Sequence, residues 1–398
     1  MGWSGSSVRG GFGGLANSIN RRANHERYLL NGTFWSLWTR RICRANAVGM
    51  THPLVFDGHN DVLLRLHESG DERGFLAGCA DGHLDLPRMR AGGFGGGLFA
   101  VYIPSSGLDQ LDDLMKGASY DVPLSAPIGQ TAALPVAFSM IDTLFRVERA
   151  SAGAMRVCRS AAEIRQCLAT GTIAAVLHFE GAEAIGADLS ALETFYAAGL
   201  RSIGPVWSRP NVFGNGVPFR FPSTGNTGPG LTDAGLALVK ACDALGIAID
   251  LSHLNEKGFW DVAKTSKRPL IATHSNAYEQ CRHARNLTDD QLRAIRDSGG
   301  MAGLNFATCF LRPDGVQGAD TPIEFMLRHL DHLIGILGED HVGFGSDFDG
   351  AMIPQSIKDA AGLPVLIDAM TAHQYGEALV RKLCHENWIN ALERAWAP

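Results

Sequence analysis

From Leu54 onward, short apolar and β-branched runs alternate with longer segments whose apolar residues return every three to four positions. The short runs predict strands at Leu54–Gly58, Gly97–Ile103, Ile173–Phe179, Ser202–Val206, Ile247–Leu251, Leu270–Thr273, Ala302–Phe306 and Val342–Gly345. The longer segments predict helices. Thr232–Leu245, reading TDAGLALVKACDAL, opens on a residue suited to capping a helix N-terminus and keeps helical apolar spacing. Thr288–Ser298 does the same, with Asp in its first turn where the helix dipole favours negative charge. Eight strands separated by helices predict parallel βα units, and eight is the number that closes a (β/α)8, TIM-type barrel.

Upstream of Leu54 this pattern is lost. Residues 1–49 are rich in Gly, Ser, Asn and Arg, and their apolar patch from Leu29 to Trp38 is broken by Asn31, Gly32 and Ser36. A secretory signal needs a longer continuous apolar core. An Arg-rich, acid-poor segment is compatible with a transit peptide, but the simpler expectation is a disordered extension ahead of a natural start at Met50. The predicted organisation is therefore an extension over 1–49 and a single barrel domain over 50–398.

Charge and cysteine usage narrow the function classes. The extension holds seven Arg and one acid, Glu26, whereas the remainder sets 28 Lys and Arg against 40 Asp and Glu, a net of −12. An acidic body argues against nucleic acid as a partner. No run of 18 apolar residues occurs, so no spanning helix is expected. The eight cysteines are scattered with no CxxC pair, which predicts reduced thiols in a cytoplasmic protein rather than a zinc ribbon or redox motif.

Candidate chemistry collects where the predicted strands end. Val55-Phe56-Asp57-Gly58 runs into His59-Asn60-Asp61, so an imidazole and a carboxylate can share a face if the extended chain persists. His83-Leu84-Asp85 has the same spacing without a strand before it and is expected to be structural. The third strand ends on His178-Phe179-Glu180. A carboxylate emerging from an apolar strand needs a partner, either a metal or a buried Arg. His178 shares its face and suits a supporting role behind the ligands. Strands five and six end on His253 and His274, and the eighth delivers Ser346-Asp347-Phe348-Asp349-Gly350. Asp347 sits where a barrel places a proton-handling carboxylate, while Asp349 before Gly suits a turn. Imidazole and carboxylate ligands suit zinc, and a bridging carboxylate can hold two cations about 3.5–4 Å apart.

These residues lie within motifs that resemble the renal-type membrane dipeptidases, metallopeptidase family M19. The resemblance runs from about Pro53 to Trp396 and includes FDGHND at 56–61, HLDLPRMRAGGFGGGLFAVY at 83–102 and HFEGAEAI at 178–185. It continues through GLTDAGLALVKACDALGIAIDLSHLN at 230–255, HSNAY at 274–278, RNLTDDQL at 285–292 and GFGSDFDG at 343–350. It implies a (β/α)8 barrel, two zinc ions and hydrolysis of dipeptides, often with a D-residue at the C-terminal position. By motif, His59 and Asp61 would bind one zinc, Glu180 would bridge, and His253 and His274 would bind the second. Asp347 falls on the catalytic acid/base position and Arg285 on the Arg that holds the substrate carboxylate.

Two departures from the family stand out. Where many members carry a His after strand four that contacts the reacting carbonyl, this chain reads Gly204-Pro205-Val206-Trp207-Ser208-Arg209-Pro210, with Trp207 at that position. An indole offers one donor and no ionisable group, so the carbonyl must be polarised in another way. The animal members are also lipid-anchored through a hydrophobic C-terminal tail, whereas this chain ends Glu393-Arg394-Ala395-Trp396-Ala397-Pro398. A bacterial-type member without a membrane anchor is expected, with a homodimer as the family's habit. The competing readings are a related hydrolase of another amide, lactone or N-acyl amino acid, and a non-catalytic metal-binding barrel.

Overall fold

All eight strand candidates become strands of one parallel sheet: β1 (Val55–Asn60), β2 (Phe94–Tyr102), β3 (Ile173–Glu180), β4 (Leu200–Gly204), β5 (Ala248–Ile249), β6 (Ile271–Ala272), β7 (Met301–Asn305) and β8 (Val342–Gly345). The computed structural model describes residues 52–105 and 111–397; the extension expected over 1–49 lies outside the described residues. Hydrogen bonding runs in the order β5-β4-β3-β2-β1-β8-β7-β6. The two ends of this path meet through one parallel bridge, Asp250 to Ile271, where the Leu251 amide donates to the Ile271 carbonyl at 2.8 Å. The ring of eight is thereby nearly closed, with helices outside it, as expected for a TIM-type barrel.

β5 and β6 are only two residues long because a side chain takes over their ladder. The Asp250 carboxylate accepts the Thr273 amide at 2.9 Å and the Ser252 amide at 3.0 Å, replacing backbone partners at the seam. A three-residue strand, Met155–Val157, adds parallel to the start of β3. It is too short to leave a period in the sequence. An antiparallel pair, Tyr120–Asp121 with Arg220–Phe221, brings the loops after β2 and β4 together, and the Val122 amide reaches the Phe219 carbonyl at 2.9 Å.

The two predicted helices form with their caps. Thr232 accepts the Gly235 amide ahead of Asp233–Leu245, and Thr288 forms a capping box with Gln291 ahead of Asp289–Asp297. One apolar layer fills the space between strands and helices. A second fills the N-terminal end of the barrel, where Phe56, Leu98, Val176 and Met301 pack on Trp388 and Leu392 of the helix Asn387–Trp396. Trp388 donates its indole N–H to the Phe344 carbonyl at 2.8 Å. A Cβ on Gly58 would stand 2.3 Å from the Trp388 ring, so glycine is what lets the indole enter. The plug leaves the opposite end, where the strands terminate, to carry chemistry. No helix among the described residues is long and apolar enough to cross a membrane.

Candidate metal centre and active site

The five candidate ligands converge from four strand ends. His59 stands on β1, fully buried. The extended chain does not persist to Asp61, which turns into the helix Val62–Ser69 with φ −108° and ψ 22°. Its amide is held by the Phe348 carbonyl at 2.8 Å, and its side chain caps no helix amide. That carboxylate is therefore available to face inward, where Asp61 Oδ2 lies 3.4 Å from His59 Nε2. Glu180 ends β3 and is 4% exposed. Its Oε1 lies 3.6 Å from His59 Nε2, 2.8 Å from His253 Nε2 and 3.6 Å from His274 Nε2.

These spacings fit metal ions. Two ligand atoms each about 2.0–2.1 Å from a tetrahedral ion stand roughly 3.3 Å apart, close to what the cluster shows. Among the described residues three compact groups share the centre: Glu180 with His253 and His274, His59 with Asp61 and Asp347, and His59 with Asp250 and His274. Both nitrogens of His59 and Asp61 Oδ1 are buried without a hydrogen-bond partner. Such orphaned polar atoms are costly unless something else satisfies them.

The electrostatics describe a hole built for positive charge. Burial opposes charge on His59, yet the Glu180 and Asp61 carboxylates outweigh it and push the imidazole up to about 10. Burial raises the Glu180 carboxyl well above the usual carboxylate range. Burial, helped by Arg285 and His59, holds His253 and His274 well below the usual histidine range, so both are neutral with lone pairs to offer.

Hydroxyl groups behind the imidazoles orient them. Thr273 Oγ1 lies 2.7 Å from Asp250 Oδ2 and 2.8 Å from His274 Nδ1. Asp250 is held below the usual carboxylate range: burial opposes this, and His178 with the hydroxyls of Ser252 and Thr273 outweighs it. As a carboxylate it can only accept, so the Thr273 proton goes to Asp250 and Thr273 in turn accepts from His274 Nδ1–H. His274 Nε2 is then a bare lone pair facing the centre. Ser208 Oγ stands 2.8 Å from His253 Nδ1. His178 packs edge-on to His59 at 5.3 Å, hydrogen-bonds Ser202 at 2.9 Å and reaches Asp250 at 3.6 Å. It belongs to none of the metal-capable groups among the described residues, in keeping with a supporting role.

A cavity of about 310 Å³ opens over the cluster, lined by Asp61, Glu180, His253 and Asp347 below and by Tyr102, Met115, Trp207, Phe219 and Phe310 around it. Trp207 forms part of this aromatic wall, its ring 5.1 Å from Tyr102 and 5.6 Å from His253. Asp347 follows β8 in a left-handed turn, φ 60°, and its Oδ2 accepts Asn305 Nδ2–H at 2.9 Å. Burial raises its carboxyl. Arg285 is 3% exposed and is not among the cavity-lining residues. Its guanidinium donates to the Ser252 carbonyl, to Ser275 Oγ and to the His274 carbonyl, with His253 Nε2 3.3 Å away. None of these partners is a carboxylate.

His83 and Asp85 are structural, as expected. Asp85 accepts the Arg88 amide at 2.8 Å to cap the helix Leu86–Ala91. His83 Nδ1 accepts the Asp349 amide at 2.9 Å, and Asp349 turns the chain with φ 67° while pairing with Arg65 at 3.2 Å. Sequence reasoning assigned no role to Asp250, Thr273, Ser208, Asn305 or Tyr102. Asp250 could have been found by the argument used for Glu180, since it too is a carboxylate inside an apolar strand. The hydroxyls and Asn305 leave no comparable signal.

The family model for membrane dipeptidases, peptidase family M19, matches residues 42–396. A metallopeptidase from Rhodobacter sphaeroides, bound to a phosphinate mimic of the dipeptide L-Ala-D-Ala, has 57% identity and a TM-score of 0.86, covering 87% of this chain and 100% of its own. The M19 metallopeptidase called dipeptidase AC has 58% identity and a TM-score of 0.85, covering 87% and 99%. An uncharacterised Klebsiella pneumoniae protein from the pqqA 5′ region is 51% identical over 246 residues, 62% of this chain and 91% of that protein. With a family match that spans most of its length, the chain belongs to peptidase family M19, the membrane dipeptidases, and is a metallodipeptidase.

Proposed function

We propose that this dipeptidase works with two zinc ions, one held by His59, Asp61 and Glu180 and the other by Glu180, His253 and His274, with Glu180 bridging. The observation that carries the reading is the convergence of three imidazole Nε2 atoms within 3.6 Å of Glu180 Oε1. Bound zinc would supply Lewis acidity, lowering the pKa of a water toward ~7 and polarising the peptide carbonyl. Asp347 takes a proton at the carboxylate oxygen that Asn305 leaves free and returns it to the departing amine. Its raised carboxyl pKa suits a group that must hold a proton for part of the cycle.

Arg285 is a buried guanidinium whose own contacts are carbonyls, a hydroxyl and an imidazole, which supports a role in drawing the substrate's C-terminal carboxylate toward the centre. Trp207, Phe219 and Phe310 favour apolar side chains on the substrate. The L-Ala-D-Ala mimic held by the Rhodobacter sphaeroides relative supports acceptance of a D-residue at the C-terminal position. A cytoplasmic homodimer completes the reading.

The discriminating experiment compares free dipeptides with the same dipeptides amidated at the C-terminus, across L,L and L,D pairs. The free forms should be preferred by roughly 10–150-fold in kcat/KM, the worth of one charge-assisted contact. Equal cleavage of both would remove the carboxylate clamp and favour a hydrolase of other amides, lactones or N-acyl amino acids. No turnover of either would favour a non-catalytic barrel.

A further inference from the structure

With Trp207 standing where relatives carry a carbonyl-contacting His, the non-metal side of the reacting carbonyl needs another donor. Tyr102 is the group so placed. It ends β2 and is the register partner of Glu180 on β3, so the two side chains project the same way, toward the strand ends. It lines the cavity together with Glu180, His253 and Asp347. Its ring packs against Trp207 at 5.1 Å.

The Tyr102 hydroxyl is buried, in a residue only 6% exposed, and has no well-formed hydrogen bond among the described residues. Ser105 is a polar neighbour of the phenol, and its hydroxyl already accepts Arg209 Nη1–H at 2.6 Å. That arrangement turns the Ser105 proton toward the phenol oxygen and leaves the phenol's own proton for the cavity. Arg209 sits 5.3 Å from the Tyr102 ring, fully buried and paired with Glu183 at 2.9 Å. Burial raises the phenol's pKa, so it keeps its proton.

We propose, resting on the dipeptidase reading above, that Tyr102 is a further catalytic residue, donating a hydrogen bond to the scissile carbonyl oxygen as that oxygen gains charge. The phenol proton stays on Tyr102 throughout; no bond to it is made or broken. The contact strengthens as the carbonyl becomes tetrahedral and is therefore spent on the transition state rather than on binding substrate.

The test uses the metal-loaded full chain and its Tyr102→Phe variant, with an L,D-dipeptide as substrate and a phosphinate dipeptide mimic as the tetrahedral probe. Tyr102→Phe should lower kcat by roughly 10²-fold with KM held within about threefold, since one oxyanion donor is lost. Phosphinate affinity should fall in parallel, and metal content should not change. Adding Trp207→His to Tyr102→Phe should return part of the lost kcat by supplying the family's donor. A variant with unchanged kcat, or with kcat lost together with metal, would overturn the assignment. A phosphinate affinity equal to that of the parent would do the same. A parent that left every dipeptide intact would take the dipeptidase reading down with it, whereas an active parent insensitive to Tyr102→Phe would remove this inference alone.

Discussion

His253 and His274 face each other nitrogen to nitrogen, their Nε2 atoms 3.1 Å apart. Two neutral imidazoles at that distance repel through their lone pairs unless a proton or a cation lies between them. Thr273 and Ser208 occupy the opposite nitrogens, and because the Thr273 proton goes to Asp250, His274 cannot exchange its tautomer without losing a hydrogen bond. The pair is held in a conformation that a metal ion relieves. Among the described residues Glu180 is the one carboxylate that pairs with both rings and with His59 as well.

Metal content should accordingly track Glu180. Glu180→Ala should lose most of the bound metal along with activity, because both ions would share that carboxylate. His178→Ala, one layer further out, should keep far more. Elemental analysis of the purified variants decides this, and two ions per chain in Glu180→Ala would place the bridge elsewhere.

The Thr273 hydroxyl should matter through its position between Asp250 and His274. Thr273→Val keeps the shape but removes the relay, and such outer partners are typically worth about 10–100-fold in metal affinity. Thr273→Ser should restore most of it. Competition with a chelator measures the affinity directly; equal affinities in the Val and Ser variants would show that the hydroxyl does not orient His274.

Asp347→Asn should keep its metals and lose turnover. General acid–base groups supply about 10²–10⁴ in rate, and the amide cannot accept the proton. A kcat within about threefold of the parent would take Asp347 out of the proton path.

His329 predicts how stability responds to acid. It is buried under the loop after β6, where its Nδ1 accepts the Ala277 amide at 3.2 Å and its Nε2–H reaches the Leu311 carbonyl at 3.0 Å. Burial lowers its pKa from 6.5 to about 4. Between those values the unfolded chain binds the proton and the folded chain does not, so stability is intact above pH 6.5 and falls as pH drops toward 4. The loss is up to about 3 kcal/mol at ~1.4 kcal/mol per unit. Urea midpoints from pH 7 to 4 should fall less steeply for His329→Gln than for the parent; parallel curves would remove His329 as a source of the acid response.

Much of this architecture was legible because barrels write it into the chain. The apolar runs of β1, β3, β5, β6 and β8 lead into imidazoles and carboxylates that need a partner, and the register of parallel strands brings those ends together. His59, Glu180, His253, His274 and Asp347 could be singled out for that reason. Asp61 was found on a premise that failed: the strand stops at Asn60, and a backbone turn held by Phe348 aims the carboxylate instead. The seam at Asp250 was hidden because side-chain hydrogen bonds stand in for a ladder, which leaves no alternation to see. Tyr102 read as the end of an apolar strand, and its partnerless hydroxyl is a property of three-dimensional packing alone.

A buried cluster of histidines and carboxylates makes this chain a metal-dependent dipeptidase. The most direct measurement is hydrolysis of an L,L- and L,D-dipeptide panel by the purified protein as isolated, after metal removal by chelator, and after adding zinc back. The account predicts activity that disappears with the metal and returns with zinc at close to two ions per chain. Dipeptide hydrolysis that survived complete removal of metal would contradict it.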